Sequence, residues 1–222
     1  RLVRGNFNNL KEIATKNDFV GVDGILMDIG ISSYHLDFSK RGFTFRHNEP
    51  LDMRMNPNAE KTAAEVLNSY PEKKLYEVFL RYGEEQLAEQ LAHRLAGARR
   101  VTPITTTNQL VELISSVAQD THHDEKKMVT TAFQAIRIEV NDELENLKRG
   151  LESAVDLLNP GGRLAIISFH SLEDRIVKLF FKKESRLSVI TNKPVIPTEQ
   201  EVQKNRRSRS ARMRVAERLK KI

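Results

Sequence analysis

Two short stretches of the chain, residues 22–30 and 163–169, are apolar almost without interruption. Strands covered on both faces have this composition, which is typical of a parallel sheet. A helical pattern precedes the second stretch, with apolar side chains at every third or fourth position. These are Phe133, Ile136, Val140, Leu144, Leu147, Leu151 and Val155. The Asn-Pro-Gly-Gly sequence at 159–162 then predicts a turn, so that helix, turn and buried strand form half of a βαβ unit.

The middle of the chain has a different pattern. Helical periodicities occur near residues 59–69, 72–82, 84–99 and 107–118, without any strand pattern between them. We therefore predict an α/β domain whose two parts, residues 1–39 and 128–202, flank an all-helical insertion at 40–127. The second part should also contain a helix from about Ser171 and a short strand at 187–190.

Composition places the chain among ordinary globular proteins. Of its 222 residues, 39% are hydrophobic and 30% are charged, a balance typical of soluble domains. No apolar run approaches the roughly 18 residues that span a bilayer, and cysteine is absent. Disulfides, zinc–thiolate sites and a cysteine nucleophile are therefore excluded, and we expect a cytoplasmic protein without a membrane anchor.

The net charge of +6 is concentrated at the carboxyl-terminal end. Residues 203–222 hold nine Lys or Arg side chains and one acid, Glu217, which leaves the rest of the chain close to neutral. We call this segment the basic tail. Its charge favours binding to a nucleic-acid backbone, although a solvated terminal helix without a target has the same composition.

Asp28 is the first candidate for a functional side chain. It lies at the end of the first apolar stretch and is followed by Gly30, Ser32 and Ser33. Ligands of open α/β sheets bind at the carboxyl ends of the strands, where this carboxylate and these hydroxyls would lie. Capping of a following helix is the structural alternative for Asp28.

The second apolar stretch also ends in polar residues. His170 could face the same cleft as a hydrogen-bonding or catalytic group, while Ser171 and Asp174 have the spacing of a helix capping box. The adjacent His122 and His123 point apart and no third ligand has helical spacing from them, so we predict no metal site.

An arginine-rich loop at 41–55 is a candidate for RNA contact. Arg41 and Arg54 could bind phosphate, and Phe43 and Phe45 could stack on a base. A pairing of Asp52 with Arg54 inside the protein explains the same residues equally well. The chain contains no G-x-G-x-x-G, P-loop, G-x-S-x-G or H-E-x-x-H motif, so these residues alone identify no nucleotide cradle or hydrolase.

Seven motifs, in order along the chain, resemble those of one enzyme family. They are Val-Asp-Gly-Ile-Leu-Met-Asp-Ile-Gly-Ile-Ser-Ser at 22–33, Arg-Gly-Phe-Thr-Phe at 41–45, Leu-Asp-Met-Arg-Met at 51–55, Tyr-Gly-Glu-Glu at 82–85, Phe-Gln-Ala-Ile-Arg-Ile at 133–138, Ser-Phe-His-Ser-Leu-Glu-Asp-Arg-Ile-Val-Lys at 168–178 and Asn-Arg-Arg-Ser-Arg-Ser-Ala at 205–211. The family is that of the bacterial small-subunit (16S) ribosomal RNA cytosine-N4 methyltransferases, which depend on S-adenosylmethionine.

The resemblance implies a class I methyltransferase, with a Rossmann-like α/β sheet and an inserted helical domain that helps to recognise RNA. It implies methylation of the N4 amine of one cytidine in the decoding region, on the small ribosomal subunit, and leaves open whether the protein is a homodimer. Cofactor contacts are implied for Phe7, Asp28 and His35, although the family has Gln at the last of these positions.

The chemistry of the amine adds further expectations. A cytosine amine delocalises its lone pair into the ring, so an acceptor for one of its protons helps the transfer. We expect Asp28 or the Ser32–Ser33 pair to be this acceptor, and His170 is a further candidate. The side chains expected to contact RNA are Arg41, Phe43, Phe45, Arg54, Arg206, Arg207 and Arg209.

The sequence also departs from the family. Tyr34 stands where the family usually has Pro, and residues 127–132 replace its His-Pro-Ala-Thr-Arg-Thr run. Family members begin with a glycine-rich loop ending in Gly-Gly-His, followed by a strand that ends in an acid for the cofactor ribose, and neither is present. We therefore expect the sheet to lack its first βαβ unit and the chain to be impaired in cofactor binding and activity. A non-catalytic RNA-binding or ribosome-assembly protein derived from this fold is the alternative.

Overall fold

The computed structural model describes residues 1–83 and 87–220. The chain forms two compact units, the first from Arg1–Gly30 and Glu143–Ile222 and the second from Ile31–Asp142. We call them the sheet unit and the helical unit. The helical unit begins earlier and ends later along the chain than the block predicted at 40–127, because the helix over Glu125–Asn141 contributes to its core.

The described part of the sheet unit contains a four-stranded sheet. Its strands are β1 (Val22–Asp28), β2 (Leu158–Ser168), β3 (Leu187–Val189) and β4 (Arg212–Arg218). Their order is β1-β2-β4-β3. β1 and β2 are parallel, with Asp28 opposite Ile167, whereas β4 runs antiparallel to both of its neighbours. The prediction of an α/β domain is confirmed.

Helices cover one face of this sheet. α8 (Glu143–Leu157) and α9 (Ser171–Lys183) share an apolar core with Met27 of β1 and Ile166 of β2. α1 (Leu10–Lys16) packs on α8. On the opposite face, Leu26 is 66% exposed. The prediction that β1 is covered on both faces is therefore wrong, because successive side chains of a strand alternate between the faces. Ile25 and Met27 pack in the core under the helices, whereas Leu26 between them faces the uncovered side.

The apolar stripe predicted as one helix is divided between two. α7 (Glu125–Asn141) ends at Asp142, whose φ of 49° is in the left-handed region that Asp adopts more readily than most residues. α8 starts at the next residue. Phe133 and Ile136 consequently belong to the core of the helical unit, and Leu147 and Leu151 to the core of the sheet unit.

The Asn-Pro-Gly-Gly segment is part of β2 and does not form the predicted turn before it. Leu158 lies opposite Val22 and Arg163 lies opposite Gly24, so β2 carries additional residues that form a bulge against β1. Gly161 has a φ of 87°, which glycine adopts without steric cost. The strand therefore begins directly after α8.

The helical unit is built from consecutive helices. These are α2 (Ser33–Asp37), α3 (Ala63–Ser69), α4 (Glu72–Tyr82), α5 (Ala88–Ala98), α6 (Thr107–Thr121) and α7. The helical periodicities predicted here are confirmed, although Glu84 and Glu85 of the Tyr-Gly-Glu-Glu motif lie outside the described residues. No helix in the described ranges is both long and apolar enough to cross a membrane.

The basic tail is not a free segment. α10 (Glu199–Lys204) and a 3₁₀ turn at Arg206–Ser210 lead into β4, which lies between β2 and β3. Ala216 of β4 is fully buried. The basic tail is therefore not a solvated helix outside the fold, because its residues 212–218 supply an internal strand of the sheet.

Candidate functional site

Asp28 lies where the parallel strands β1 and β2 end. Its side chain is exposed, and the backbone N–H of Ile29 donates to the carbonyl of Ile167 over 3.2 Å, which extends the pairing by one residue. A Cβ at Gly30 would lie 2.5 Å from the ring of Phe169, so only glycine allows the two strand ends to approach in this way. The arrangement presents a carboxylate at the sheet edge where ligands of α/β folds bind.

Phe7 is held close to the end of β1. A Cβ at Gly150 of α8 would lie 2.8 Å from the Phe7 ring and 3.1 Å from the Met27 side chain, so both side chains pack against this glycine. Asn8 follows Phe7 and donates through Nδ2 to Asn146 over 2.9 Å. Its Oδ1 is buried without a hydrogen-bond partner. The structure thus packs Phe7 against Met27, the residue before Asp28 on β1, and leaves an orphaned acceptor on Asn8.

His170 begins α9 as its N-cap. Its Nδ1 faces the backbone N–H of Glu173 at 3.5 Å, and the Glu173 carboxylate accepts from the backbone N–H groups of Phe169 at 2.9 Å and His170 at 3.3 Å. The capping box therefore consists of His170 and Glu173. The predicted box of Ser171 and Asp174 is wrong because the helix begins one residue earlier than that spacing requires.

Asp174 is paired with the basic tail instead. Arg214 of β4 donates to its two carboxylate oxygens over 2.6 and 3.0 Å, and both side chains are buried. Arg212 approaches the same carboxylate to 3.5 Å. The hydrogen bonds from Arg214 lower the pKa of Asp174 below its usual range, despite the opposing effect of burial. This ion pair ties β4 to α9.

Ser32, Ser33 and His35 lie in the helical unit. Ser32 is the N-cap of α2, and its Oγ lies 2.8 Å from Nδ1 of His35. Burial, together with the charges of Arg41 and Arg137, lowers the pKa of His35 and favours a neutral ring. Ser33 has an exposed side chain. Ser32 is thus engaged in a cap, and Ser33 is the more accessible hydroxyl.

The arginine-rich loop is ordered largely by its own side chains. Arg54 donates to both oxygens of Asp52, over 2.9 and 2.7 Å, and Arg41 donates to the carbonyl of Arg54. Phe43 is only 7% exposed, whereas Phe45 is 37% exposed and meets Phe133 edge-on. Of the two alternatives for Arg54, the structure shows the internal pairing with Asp52. Because Phe43 is buried, an RNA-stacking ring in this loop would be Phe45.

Arg206, Arg207 and Arg209 occupy the 3₁₀ turn before β4, and all three are exposed. Asn205 caps the turn by accepting from the backbone N–H of Arg207 over 3.2 Å, and the hydroxyl of Ser208 donates to the carbonyl of Asn205 over 2.8 Å. These contacts hold the three arginines on a structured turn.

The structure also shows polar residues that the sequence did not single out. Glu143, at the start of α8, lies close to His170 and Glu173, so that one ligand atom of each falls within 4.8 Å of the other two. The long separation along the chain between Glu143 and His170 hides this proximity from any local pattern. Residues 212–215 alternate between Arg and apolar side chains, as in a strand, but this pattern predicts Arg214 on the polar face and so gives no sign of its burial.

Comparison with known proteins gives a consistent result. The profile described as the MraW methylase family matches residues 1–219. A ribosomal RNA small subunit methyltransferase H from Carboxydothermus hydrogenoformans is 46% identical over 235 residues, which cover 98% of this chain and 76% of that relative. The protein of the same name from Desulfosudis oleivorans is 42% identical over 237 residues, with the same coverage.

Proposed function

Because this chain belongs to the MraW methylase family, we propose that it methylates small-subunit ribosomal RNA with S-adenosylmethionine as the methyl donor. The acceptor in this proposal is the N4 amine of a cytidine in the decoding region, and the partner is the small ribosomal subunit in the cytoplasm. The observation that carries the proposal is the exposed Asp28 carboxylate at the shared end of β1 and β2.

The residues around Asp28 suit such a methyl donor. When bound, S-adenosylmethionine supplies an electrophilic methyl group on a sulfonium. The exposed carboxylate of Asp28 can accept hydrogen bonds from its polar groups, and the buried Oδ1 of Asn8 is an acceptor that still lacks a donor. Phe7, partly buried against Gly150 and next to Met27, offers an aromatic ring close to the end of β1. The site therefore fits the cofactor at these three positions.

Asp28 is also the side chain that we propose as the acceptor of the amine proton. Its charged carboxylate can take a hydrogen bond from the N4 amine and so localise the lone pair toward the methyl group. Ser33 is the alternative acceptor, since Ser32 is engaged with His35. His170 is not assigned this role because its side chain is nine-tenths buried at the start of α9.

RNA contact is proposed for two groups of side chains. Arg206, Arg207 and Arg209 provide phosphate-binding guanidinium groups on one turn. In the helical unit, the exposed Phe45 is the proposed stacking ring. The target base must leave its stack to be methylated.

The substitution Asp28→Asn tests the reaction. We expect the rate of radiolabelled methyl transfer to rRNA to fall by at least about 100-fold, the usual scale for a proton-accepting group. Asp23→Asn, on the same strand and bonded to Asn159 over 2.9 Å, is the matched control and should leave the rate unchanged. A parallel calorimetric titration with S-adenosylmethionine separates loss of cofactor binding from loss of the transfer step. Equal rates for the two variants would refute the role of Asp28.

A non-catalytic RNA-binding protein is the second candidate. It is favoured by the exposed Arg206 and Arg209 on their turn, which can bind phosphate whether or not a methyl donor is bound. Tight rRNA binding without any methyl transfer would support the second candidate over the first.

A further inference from the structure

We propose that the sheet unit binds a divalent transition-metal ion through Glu143, His170 and Glu173. One ligand atom from each side chain lies within 4.8 Å of the other two. Glu143 is the first residue of α8, and His170 and Glu173 form the cap and first turn of α9. The three side chains thus meet where two helices of the same unit begin.

The second observation concerns the ring of His170. Its side chain is 10% exposed, and its Nε2 is buried without a hydrogen-bond partner although Oε1 of Glu173 is 3.1 Å away. Two electronegative atoms at this separation require a proton or a cation between them. Ligand atoms bound side by side to an ion, each at about 2.1 Å, are themselves about 3.0 Å apart in octahedral and about 3.4 Å apart in tetrahedral coordination. The separation of Nε2 and Oε1 therefore suits two neighbouring ligands of one ion.

The contacts of Glu173 and His170 orient their proposed ligand atoms toward each other. Oε2 of Glu173 accepts from the backbone N–H groups of Phe169 and His170, which fixes the carboxylate and turns Oε1 toward the ring. Coordination through Nε2 places the single proton of a neutral imidazole on Nδ1. In this tautomer Nδ1 carries the proton and can no longer accept from the backbone N–H of Glu173. That hydrogen bond, which at 3.5 Å is at the outer limit for such a bond, is therefore given up when the ion binds.

The ligand set indicates the class of ion. One imidazole and two carboxylates suit Zn²⁺ or Mn²⁺, whereas Mg²⁺ and Ca²⁺ favour oxygen ligands throughout. Two carboxylates also balance the charge of a divalent ion. Bound there, the ion would join the starts of α8 and α9 and so hold the carboxyl end of β2, from which α9 follows. This role is structural and does not depend on the proposed methyl transfer.

Calorimetric titration of the chelator-treated full chain with Zn²⁺, Mn²⁺ or Mg²⁺ alone tests the site. We expect one Zn²⁺ or Mn²⁺ per chain and weaker binding of Mg²⁺. Glu143→Gln removes one ligand without touching the capping box, and His170→Asn removes the imidazole while Asn preserves the N-cap. Each variant should weaken Zn²⁺ binding by at least about tenfold, as changes at metal sites commonly do. The double variant His122→Ala/His123→Ala removes two imidazoles outside the proposed site and should bind Zn²⁺ as the unchanged chain does.

Thermal unfolding provides an independent measurement. Zn²⁺ should raise the melting temperature of the unchanged chain and of the His122/His123 double variant, but not of Glu143→Gln or His170→Asn. The circular dichroism of the metal-free variants checks that they fold. The proposal is overturned by absence of binding at millimolar Zn²⁺, by unchanged affinity in both ligand variants, or by loss of binding confined to the His122/His123 variant.

Discussion

The two units differ in how far apart along the chain their neighbouring residues lie. In the helical unit, helices that follow one another pack together, as α4 does with α5 and α6 with α7, although α7 also packs on α4. In the sheet unit, Ser168 at the end of β2 pairs with Arg212 of β4, and the helix α9, β3 and α10 intervene. The order of helices can therefore be derived from local periodicity, whereas the position of β4 depends on a pairing that no local pattern contains.

The basic side chains differ in whether they are paired inside the protein or exposed. Arg214 and Arg54 each donate twice to a nearby aspartate, whereas Arg206 and Arg209 are exposed on a turn. All four belong to segments that charge alone assigns to RNA binding. Net charge therefore identifies a segment that can bind phosphate, but burial and partners decide which of its arginines remain available for that purpose.

Removal of residues 203–222 should have the largest effect. It takes away β4, an internal strand with the buried Ala216 and Arg214, so we expect loss of cooperative folding in the sheet unit rather than a simple loss of RNA affinity. The helical unit has its own core and should retain protected amides. Hydrogen exchange measured by mass spectrometry resolves the two units.

The matched control is truncation after Arg218, which keeps β4 complete. This shorter chain should show native protection throughout the sheet unit. If the amides of β1 and β2 also stayed protected after removal of residues 203–222, β4 would be an accessory strand. The contrast between the two units would then not hold.

Part of this architecture follows from the sequence and part does not. Helices α3 to α6 follow from apolar periodicity and both parallel strands from continuous apolar stretches, whereas no pattern predicts α2. Asp142 and the basic tail show what the sequence does not reveal. The apolar stripe continues across Asp142, so it does not show that the helix is broken there by a left-handed residue. The arginine-rich β4 has the composition of a solvated terminus, so composition does not identify it as a strand. Of the candidate site, Asp28 and Phe7 lie in one region, whereas the position of Glu143 beside His170 requires tertiary structure.

Asp174→Asn should produce the next largest effect, again in the sheet unit. It leaves Arg214 buried without its charged partner, and breaking a buried pair of this kind costs about 3–5 kcal/mol of unfolding free energy. Asp156→Asn is the control, because its partners Lys11 and Arg186 are surface side chains and exposed pairs contribute at most about 1 kcal/mol. Urea denaturation measures both. Equal losses would show that the Asp174–Arg214 pair is no more important than a surface pair.

The pH dependence of stability follows from the same pair. The pKa of Asp174 is lower in the folded protein than its ordinary value of 3.8, so its contribution is complete above that value. It should be lost as the pH falls through the lowered pKa. Asp174→Asn should flatten this acid limb of the stability curve.

A change in the helical unit should be smaller. Thr107 is fully buried, donates its hydroxyl hydrogen to the carbonyl of His47 over 2.8 Å and accepts from the backbone N–H of Glu49 over 2.9 Å. Thr107→Val leaves both backbone groups unsatisfied and should cost about 1–3 kcal/mol. Thr130→Val, at an exposed site where the hydroxyl bonds within its own helix, should change stability by less than about 0.5 kcal/mol. Hydrogen exchange should confine the effect of Thr107→Val to the helical unit.

The triple substitution of Arg206, Arg207 and Arg209 by Ala should have the smallest effect on stability, within about 0.5 kcal/mol per site, because all three side chains are exposed. Its effect on RNA should be clear, since removing each phosphate-binding charge reduces the slope of log affinity against log salt by about 0.7–0.9. Filter binding to an rRNA fragment at several salt concentrations measures this slope. Unchanged affinity and slope in a fully folded triple variant would remove the 3₁₀ turn from the proposed RNA surface, and RNA contact would then have to be sought in the helical unit, at Arg41 and Phe45.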